Sequence, residues 1–134
     1  MTQTFDDVVF EVVSDDEEVR DIWIRMESSR LIQRHDRGAL ASAIGKVLNG
    51  QAFIVKGSLN GRMLSAVIMS QNGSVGNIIQ IYGPGVARKI KDQFFNFLKR
   101  NGIEEIYGSS NAKDGAIVNL FGMDKLYTVY RRRL

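Results

Sequence analysis

The chain has 134 residues, of which 44% are hydrophobic and 25% are charged, a balance typical of one globular domain with one core. It contains no cysteine and one histidine, which excludes disulfides, thiolate metal sites and a cysteine nucleophile and argues against a zinc site. No apolar run approaches the roughly 20 residues of a membrane helix, and the acidic N-terminus lacks the pattern of a secretory signal. We therefore expect a single domain over residues 1–134, in the cytoplasm, without a membrane or metal partner.

The net charge of +3 conceals an uneven distribution of charge along the chain. Residues 1–36 hold ten acidic and four basic side chains, whereas residues 37–91 hold seven basic side chains and no Asp or Glu. A segment without carboxylates creates a positive local field that favours an anionic partner. The alternative is that the acidic and basic segments neutralise each other in the fold.

The N-terminal third predicts one strand followed by two helices. Residues 6–13 are typical of a strand, and residues 14–31 of a helix with Ser14 as its N-cap and acidic residues in its first turn. The apolar face of that helix comprises Val19, Ile22, Trp23 and Met26. Residues 37–48 predict a second helix that ends at an Asn-Gly pair. Its apolar face comprises Leu40, Ile44, Val47 and Leu48.

Three strand-like runs follow, over residues 51–58, 62–71 and 74–83. They are joined through Asn60-Gly61 and Asn72-Gly73, and Asn-Gly pairs favour the positive φ angles of tight hairpins. These runs therefore predict a three-stranded antiparallel meander.

The rest of the chain predicts a β-α-β unit and two further elements. A helix over residues 86–101 presents an apolar stripe and leaves Phe95 off it, where it could meet a partner. The stripe comprises Val86, Ile90, Phe94, Phe97 and Leu98. A strand over 103–109, a short helix over 113–122 and a final strand over 124–133 complete the order β-α-α-β-β-β-α-β-α-β. The fold class is α/β (α+β), with a mixed, mostly antiparallel sheet of about six strands and helices on both faces.

The turn before the helix over 86–101 reads Gln80-Ile81-Tyr82-Gly83-Pro84-Gly85. Glycine at such a place lets backbone amides approach a phosphate at a helix N-terminus, although the same residues would also make a tight corner. Together with the element order, this turn resembles the GNAT superfamily of N-acetyltransferases. In that family a loop of pattern Arg/Gln-x-x-Gly-x-Gly/Ala leads into a long helix and holds the pyrophosphate of acetyl-coenzyme A.

The resemblance extends from about residue 8 to the end of the chain and implies an acetyl-coenzyme A site. The cofactor contacts that it implies are Gln80, Ile81, Gly83, Gly85, Val86, Ala87, Arg88 and Asn111. Pro84 departs from the family's use of this loop because it has no amide hydrogen to donate to a phosphate. His35 lies where the family often has a loop that admits substrate. Taken alone, the residues around His35 favour a solvated loop position.

Few side chains are available for acid–base chemistry. Tyr127 and Tyr130 lie on opposite faces of the predicted final strand, and each is either a proton donor or a half-buried strand residue. Tyr82 ends a strand and could either pack against the following helix or contact the cofactor, and of the two we expect packing. The resemblance aligns Val118 with the family's frequent catalytic Tyr, and the meander holds no carboxylate for the Glu that many members use as a base.

The resemblance implies an N-acetyltransferase that moves acetyl from acetyl-coenzyme A to a small-molecule or protein amine, and it leaves a homodimer open. The alternative is a catalytically silent binding protein or a virion structural protein, because the expected catalytic groups are missing and small chains of this fold occur in tailed phages. A nucleic-acid-binding domain is a third hypothesis, suggested by the pI of about 9.3 and the basic middle segment. It lacks a helix-turn-helix or an aromatic RNA-binding signature.

Overall fold

The sheet consists of a three-stranded meander with one strand added on each side. The computed structural model describes residues 7–28, 37–82 and 87–108. Their elements are β1 (Val9–Val13), α1 (Asp16–Glu27), α2 (Arg37–Leu48), β2 (Phe53–Leu59), β3 (Arg62–Asn72), β4 (Val75–Tyr82), α3 (Ala87–Arg100) and β5 (Glu105–Gly108). The five strands lie side by side in chain order, and every pair is antiparallel except the parallel pair β4–β5.

The predicted meander and β-α-β unit are thus confirmed, as is the mixed, mostly antiparallel sheet. The predicted helix over 113–122 and the sixth strand over 124–133 lie outside the described residues. Within the described part, each element starts and ends within two or three residues of its predicted bounds, apart from α1, which ends earlier.

Alternation along the central strands gives the sheet two apolar faces. On one face lies the helix-pair core, which α1 and α2 cover. Its buried members are Val13, Val19, Ile22, Met26, Leu40, Ala43, Ile44, Ala52, Ile54, Ala66 and Ile68. On the other face lies the α3 core, with Val55, Val67, Met69, Phe94, Leu98 and Ile103 buried. Because consecutive residues of β2 and β3 point to opposite faces, one sheet holds helices on both sides, as predicted.

The N-cap of helix α1 lies one residue later in the sequence than predicted. Asp15 has extended backbone, and its carboxylate accepts a hydrogen bond of 3.2 Å from the N–H of Glu17. Asp15 is therefore the N-cap, and the prediction of Ser14 is wrong because both side chains can cap and the chain stays extended for one more residue. The predicted apolar face is confirmed, since its four residues pack in or against the helix-pair core: Val19, Ile22, Trp23 and Met26.

The two hairpin turns of the meander use glycine differently. Asn60 and Gly61 both have positive φ, 57° and 77°, as a type I′ turn requires. In the second hairpin β3 continues through Asn72, so the two turn residues are Gly73 and Ser74 rather than the predicted Asn-Gly pair. Gly73 has a φ of 61° at the first turn position, which is where a type II′ turn requires glycine.

Helix α3 buries the apolar stripe predicted for it. The buried residues of the stripe are Ile90, Phe94 and Leu98. Phe95 also packs against the α3 core, with its ring centre 5.9 Å from that of Phe94. Phe95 is therefore half-buried rather than exposed as expected, because its ring packs beside Phe94 on the α3 core.

Phe10 joins β1 to α3. Its ring centre lies 5.8 Å from that of Phe94 and 6.0 Å from that of Phe97. Gly57, opposite Phe10 in β2, leaves the room that this ring occupies. A Cβ atom at Gly57 would lie 2.8 Å from Cε1 of Phe10 and 2.6 Å from Oγ of Ser65, so the close packing requires glycine.

A lysine within the sheet ties β1 and α1 together. Lys56 of β2 donates a hydrogen bond to Glu18 of α1, and its Nζ lies 3.3 Å from Oε1 of Glu11 in β1. The hydrogen bond to Glu18 is the main reason why the pKa of Lys56 is raised above 10.5; burial opposes the shift and Glu11 adds to it. At Lys56, therefore, N-terminal acids neutralise a base of the middle segment.

Replacing Gly57 by alanine should destabilise the fold by about 2 kcal/mol, because the added methyl group overlaps the Phe10 ring. Urea denaturation followed by circular dichroism measures the change. The matched control is Gly45→Ala in α2, where a Cβ atom meets nothing within 4 Å. Alanine is the better helix former, so this control should stabilise the protein by roughly 0.5 to 1 kcal/mol. Equal denaturation midpoints for the two variants would contradict the described packing.

Replacing Lys56 by methionine should lower the free energy of unfolding by about 1 kcal/mol at neutral pH, because Glu11 and Glu18 then face each other without a cation. The folded-state pKa of Lys56 is raised above its ordinary value of 10.5. The stabilisation by Lys56 is therefore fully present below pH 10.5 and is lost as the pH rises through the folded-state pKa. The difference in unfolding free energy between wild type and variant should therefore stay constant up to about pH 10 and shrink above it. A difference that grows with rising pH would be the contrary result.

Candidate functional site

Strand β4 carries an extra residue in its middle. Ile68 of β3 pairs with Gln80, and the next residue of β3, Met69, pairs with Ile78. Ile79 therefore has no partner of its own in the β3–β4 ladder. This irregularity is a β-bulge, a feature that bends a strand and is over-represented next to active sites.

The described pairing of β4 with β5 covers the first half of β4. The parallel ladder starts at Val75 and reaches Ile78, opposite Gly108, which is the last residue that the structure describes. β4 itself continues to Tyr82, still paired with β3. We call residues 79–82 the distal half of β4. Of the residues that the structure describes, none pairs with the distal half on its outer side, and this half leads towards α3.

The structure places Gln80 and Ile81 in the distal half of β4 rather than in a loop. They pair with Ile68 and Val67 of β3. Gln80 is half-buried, and Ile81 packs against the α3 core. Two of the predicted cofactor contacts thus lie on the strand segment without a described outer neighbour, and their role as contacts stays a prediction.

The N-terminus of α3 is free of acidic side chains. Ala87 and Arg88 are the first two residues of this helix, and no Asp or Glu occurs in its first turn. A helix N-terminus carries partial positive charge and unpaired N–H groups, so an anion would meet attraction there without repulsion. The other residues predicted for the site lie outside the described part of the chain: His35, Gly83, Pro84, Gly85, Val86, Asn111, Val118, Tyr127 and Tyr130.

Tyr82 packs on the opposite side of the sheet from the helix that follows it. It is half-buried, pairs with Ala66 and packs against the helix-pair core. The prediction that Tyr82 packs is confirmed, but the expected neighbour, α3, is wrong. The reason is alternation beyond the bulge, which sends Ile81 to the α3 face and Tyr82 to the face of α1 and α2.

Two exposed side chains of β5 form a pair that the sequence analysis did not single out. The hydroxyl of Tyr107 donates a hydrogen bond of 3.1 Å to Oε2 of Glu105. This hydrogen bond, together with the charge of Glu105, raises the pKa of Tyr107 above 10.0, so the phenol keeps its proton at neutral pH. Tyr107 lies opposite Asn77, one residue before the β4–β5 ladder ends. The i, i+2 spacing of Glu and Tyr on a predicted strand was the available signal.

Two open grooves lie away from the distal half of β4. One lies between β1 and α3, and the other lies between α1 and the β2–β3 hairpin. Among the described residues no group of three or more His, Cys, Asp or Glu could hold a metal ion. None of the three described helices has the length and apolar character needed to cross a membrane.

No protein-family model matches the sequence, and no curated protein matches it either. Several solved structures share its fold. The ribosomal-protein-alanine N-acetyltransferase from Brucella melitensis biovar Abortus 2308 is 12% identical with a TM-score of 0.62, over 95% of this chain and 99% of that chain. AAC(6')-Iy, solved with the bisubstrate analogue CoA-S-monomethyl-acetylneamine, is 13% identical with a TM-score of 0.60. The match covers 95% of this chain and 99% of that chain. The aminoglycoside antibiotic 6'-N-acetyltransferase AAC(6')-IG from Acinetobacter haemolyticus is 15% identical with a TM-score of 0.60, over 94% and 97%.

These similarities extend along nearly the whole chain at low sequence identity, so they concern the fold and not the activity. The chain has the fold of the GNAT N-acetyltransferases.

Proposed function

We propose that the protein binds acetyl-coenzyme A along the distal half of β4 and transfers the acetyl group to an amine. The observation that carries this proposal is the bulge in β4, followed along the chain by a helix whose first turn holds no acid. β4 continues past the bulge at Ile79 to Tyr82, and α3 begins at Ala87. We place the extended arm of the cofactor along the outer edge of residues 79–82, where backbone N–H and C=O groups can pair with it.

The chemistry of coenzyme A suits this edge. Its pantetheine arm is extended and carries amide groups, so it can add to the edge of a strand much as a peptide does. The bulge at Ile79 changes the direction of the backbone, and such a bend would help to separate β4 from its neighbour for an inserted ligand.

The phosphates of the cofactor would meet the N-terminus of α3. Arg88 belongs to the first turn of this helix, and that turn holds no acid. Residues 37–91 include β4 and the first turn of α3 and hold no Asp or Glu, so none of them repels an anion. Gly83 and Gly85, in the turn that the resemblance identifies, would bring backbone amides close to the phosphates.

The cofactor would supply an activated acetyl group as a thioester: the amine nitrogen bonds to its carbonyl carbon, the carbon–sulfur bond breaks, and a proton passes from the amine to the thiolate side. The chain has to position the two reactants, and positioning alone supplies much of the rate in such transfers. Tyr127 and Tyr130 are the proposed proton donors, because the phenol has a suitable pKa range for protonating a leaving thiolate.

The proposed acceptor is a small-molecule or protein amine. Asp16, Glu17 and Asp21 of α1 are exposed and would attract a cationic amine by their field. One of the similar structures is named as an aminoglycoside 6'-N-acetyltransferase and another as a ribosomal-protein-alanine N-acetyltransferase, so both names specify acetylation at nitrogen.

One observation favours a second function, a catalytically silent binding protein. β2, β3 and β4 contain no carboxylate, so none of them offers a general base. On the described strands the carboxylates are Glu11, which pairs with Lys56, and Glu105, which accepts a hydrogen bond from Tyr107. A protein of this kind would bind coenzyme A, or a similar anion, without turnover.

Replacing Gly85 by aspartate should weaken the binding of coenzyme A at least about tenfold, because a side chain and a negative charge enter the proposed phosphate turn. Isothermal titration calorimetry measures the change. The control is Gly38→Asp, at an exposed position of α2 where a Cβ atom meets nothing within 4 Å. It adds the same charge elsewhere and should leave the affinity unchanged. Wild-type protein that binds no coenzyme A at millimolar concentration would refute the proposal.

Tyr127 and Tyr130 are each replaced by phenylalanine. The variant that lacks the proton donor should have a kcat roughly tenfold or more below wild type, while its affinity for coenzyme A stays unchanged. Thiol release from acetyl-coenzyme A, with a polyamine, an aminoglycoside and an N-terminal alanine peptide as acceptors, measures the rate. Wild-type rates in both variants would reject a catalytic role for these phenols. Cofactor binding without thiol release for any acceptor would favour the silent protein.

A further inference from the structure

Strand β1 has the features of an edge that pairs with another strand. It forms one edge of the described sheet and pairs only with β2 there. Its sequence, Val-Phe-Glu-Val-Val, contains neither Lys nor Pro, the residues that usually protect a sheet edge. Val9 and Val12 are 61% and 48% exposed, although both are apolar.

The groove beside one end of this edge and the turn at its other end carry opposite charges. Beside its N-terminal end an open groove is lined by Val8 and Val9 together with Lys99 and Arg100 from the last turn of α3. Both basic side chains are exposed, and neither forms an ion pair with another described residue. The groove therefore presents apolar surface next to two unneutralised cations.

The C-terminal end of the edge is acidic. β1 leads directly into the cap and first turn of α1, where Asp15, Asp16 and Glu17 are exposed. The backbone of Asp15 is still extended, with φ −97° and ψ 124°, so the edge continues as a strand up to this residue. One short edge thus has a basic groove at one end and an acidic turn at the other.

We propose that two copies of the chain pair through β1, antiparallel about a two-fold axis, so that their sheets become continuous. An antiparallel arrangement places the N-terminal end of one β1 beside the C-terminal end of the other. Each basic groove then meets the acidic turn of the second copy, and the symmetry makes this contact twice. A parallel arrangement would bring like charges together instead.

The charges also select a register. In the register with Val12 opposite Val12 of the second copy, Val9 lies opposite Asp15, which brings Asp16 at the start of α1 beside the cations of the groove. Glu11 then lies opposite Val13. A register centred on Glu11 is disfavoured, because it places two carboxylates directly opposite each other.

Sedimentation velocity over a range of protein concentrations tests the pairing. Wild-type protein should dimerise, whereas Val12→Lys should be monomeric, because it places two ammonium groups on the axis. The matched control is Ile24→Lys, which makes the same change at an exposed residue of α1, 64% accessible and away from the edge. The control should dimerise as wild type does, and circular dichroism confirms that both variants fold. A monomeric wild type, or equal behaviour of the two variants, would overturn the proposal.

A mixing experiment tests the charge contact. Lys99→Glu combined with Arg100→Glu, and separately Asp16→Lys, should each raise the dimer dissociation constant roughly tenfold. An equimolar mixture of the two variants should restore dimerisation. In the mixed dimer one contact joins the two introduced glutamates to the introduced lysine, and the other joins the native Lys99 and Arg100 to the native Asp16. Failure of the mixture to associate more tightly than either variant would overturn the charge contact.

Disulfide trapping tests the register, and the absence of native cysteine makes it unambiguous. Val12→Cys should form a covalent dimer rapidly under mild oxidation, since symmetric opposite positions bring the two sulfurs within bonding distance. Ile24→Cys, equally accessible, should not. Similar rates for both would contradict the register. These experiments do not involve coenzyme A, so their outcome is independent of the proposed function.

Discussion

The bulge in β4 is the constraint on which the proposed site depends. β3 pairs with β4 along its whole length, which fixes the position and direction of the strand. The extra residue, Ile79, bends the strand just before the segment that leads to α3. Because the chain must leave β4, pass through α3 and return parallel to it, the distal half of β4 and the start of α3 are brought to the same end of the sheet. The anionic, extended ligand of the proposed function would meet both a strand and a helix N-terminus at this one place.

The charged residues of the chain also have separate structural and functional roles. Two of the N-terminal acids, Glu11 and Glu18, are used to hold β1 and α1 against the meander through Lys56. Of the other described acids, Asp15, Asp16 and Glu17 are exposed at the start of α1, where they can meet cationic partners. Residues 37–91 place no carboxylate on β4 or on the first turn of α3. In the proposed function this composition favours an anionic cofactor, and catalysis would depend on Tyr127 and Tyr130 because no carboxylate base lies on β2, β3 or β4.

Most of the architecture could be predicted from the sequence because its turn and helix signals are local. Asn60-Gly61 identifies a hairpin without tertiary information, and the apolar spacing of α1 and α3 identifies their buried sides. Errors of one residue arose where two neighbours compete for one role, as Ser14 and Asp15 do for the cap. The bulge could not be predicted, since Ile78 and Ile79 are both apolar and either could be the extra residue. The ion pairs of Lys56 join three elements, and the Phe10 contact depends on a glycine in another strand, so neither has a local signal.

The place of β1 in the sheet also has a consequence for the order of events during folding. The meander closes through two-residue turns, so its strands find each other with little loss of chain entropy. β1 reaches β2 only across both helices, as the pairing of Val9 with Ser58 shows, and such non-local contacts form late. Lys56 is therefore in place before either of its carboxylates arrives. We expect folding to begin in the meander, and the ion pairs of Lys56 to mark the moment when the N-terminal strand and helix close over it.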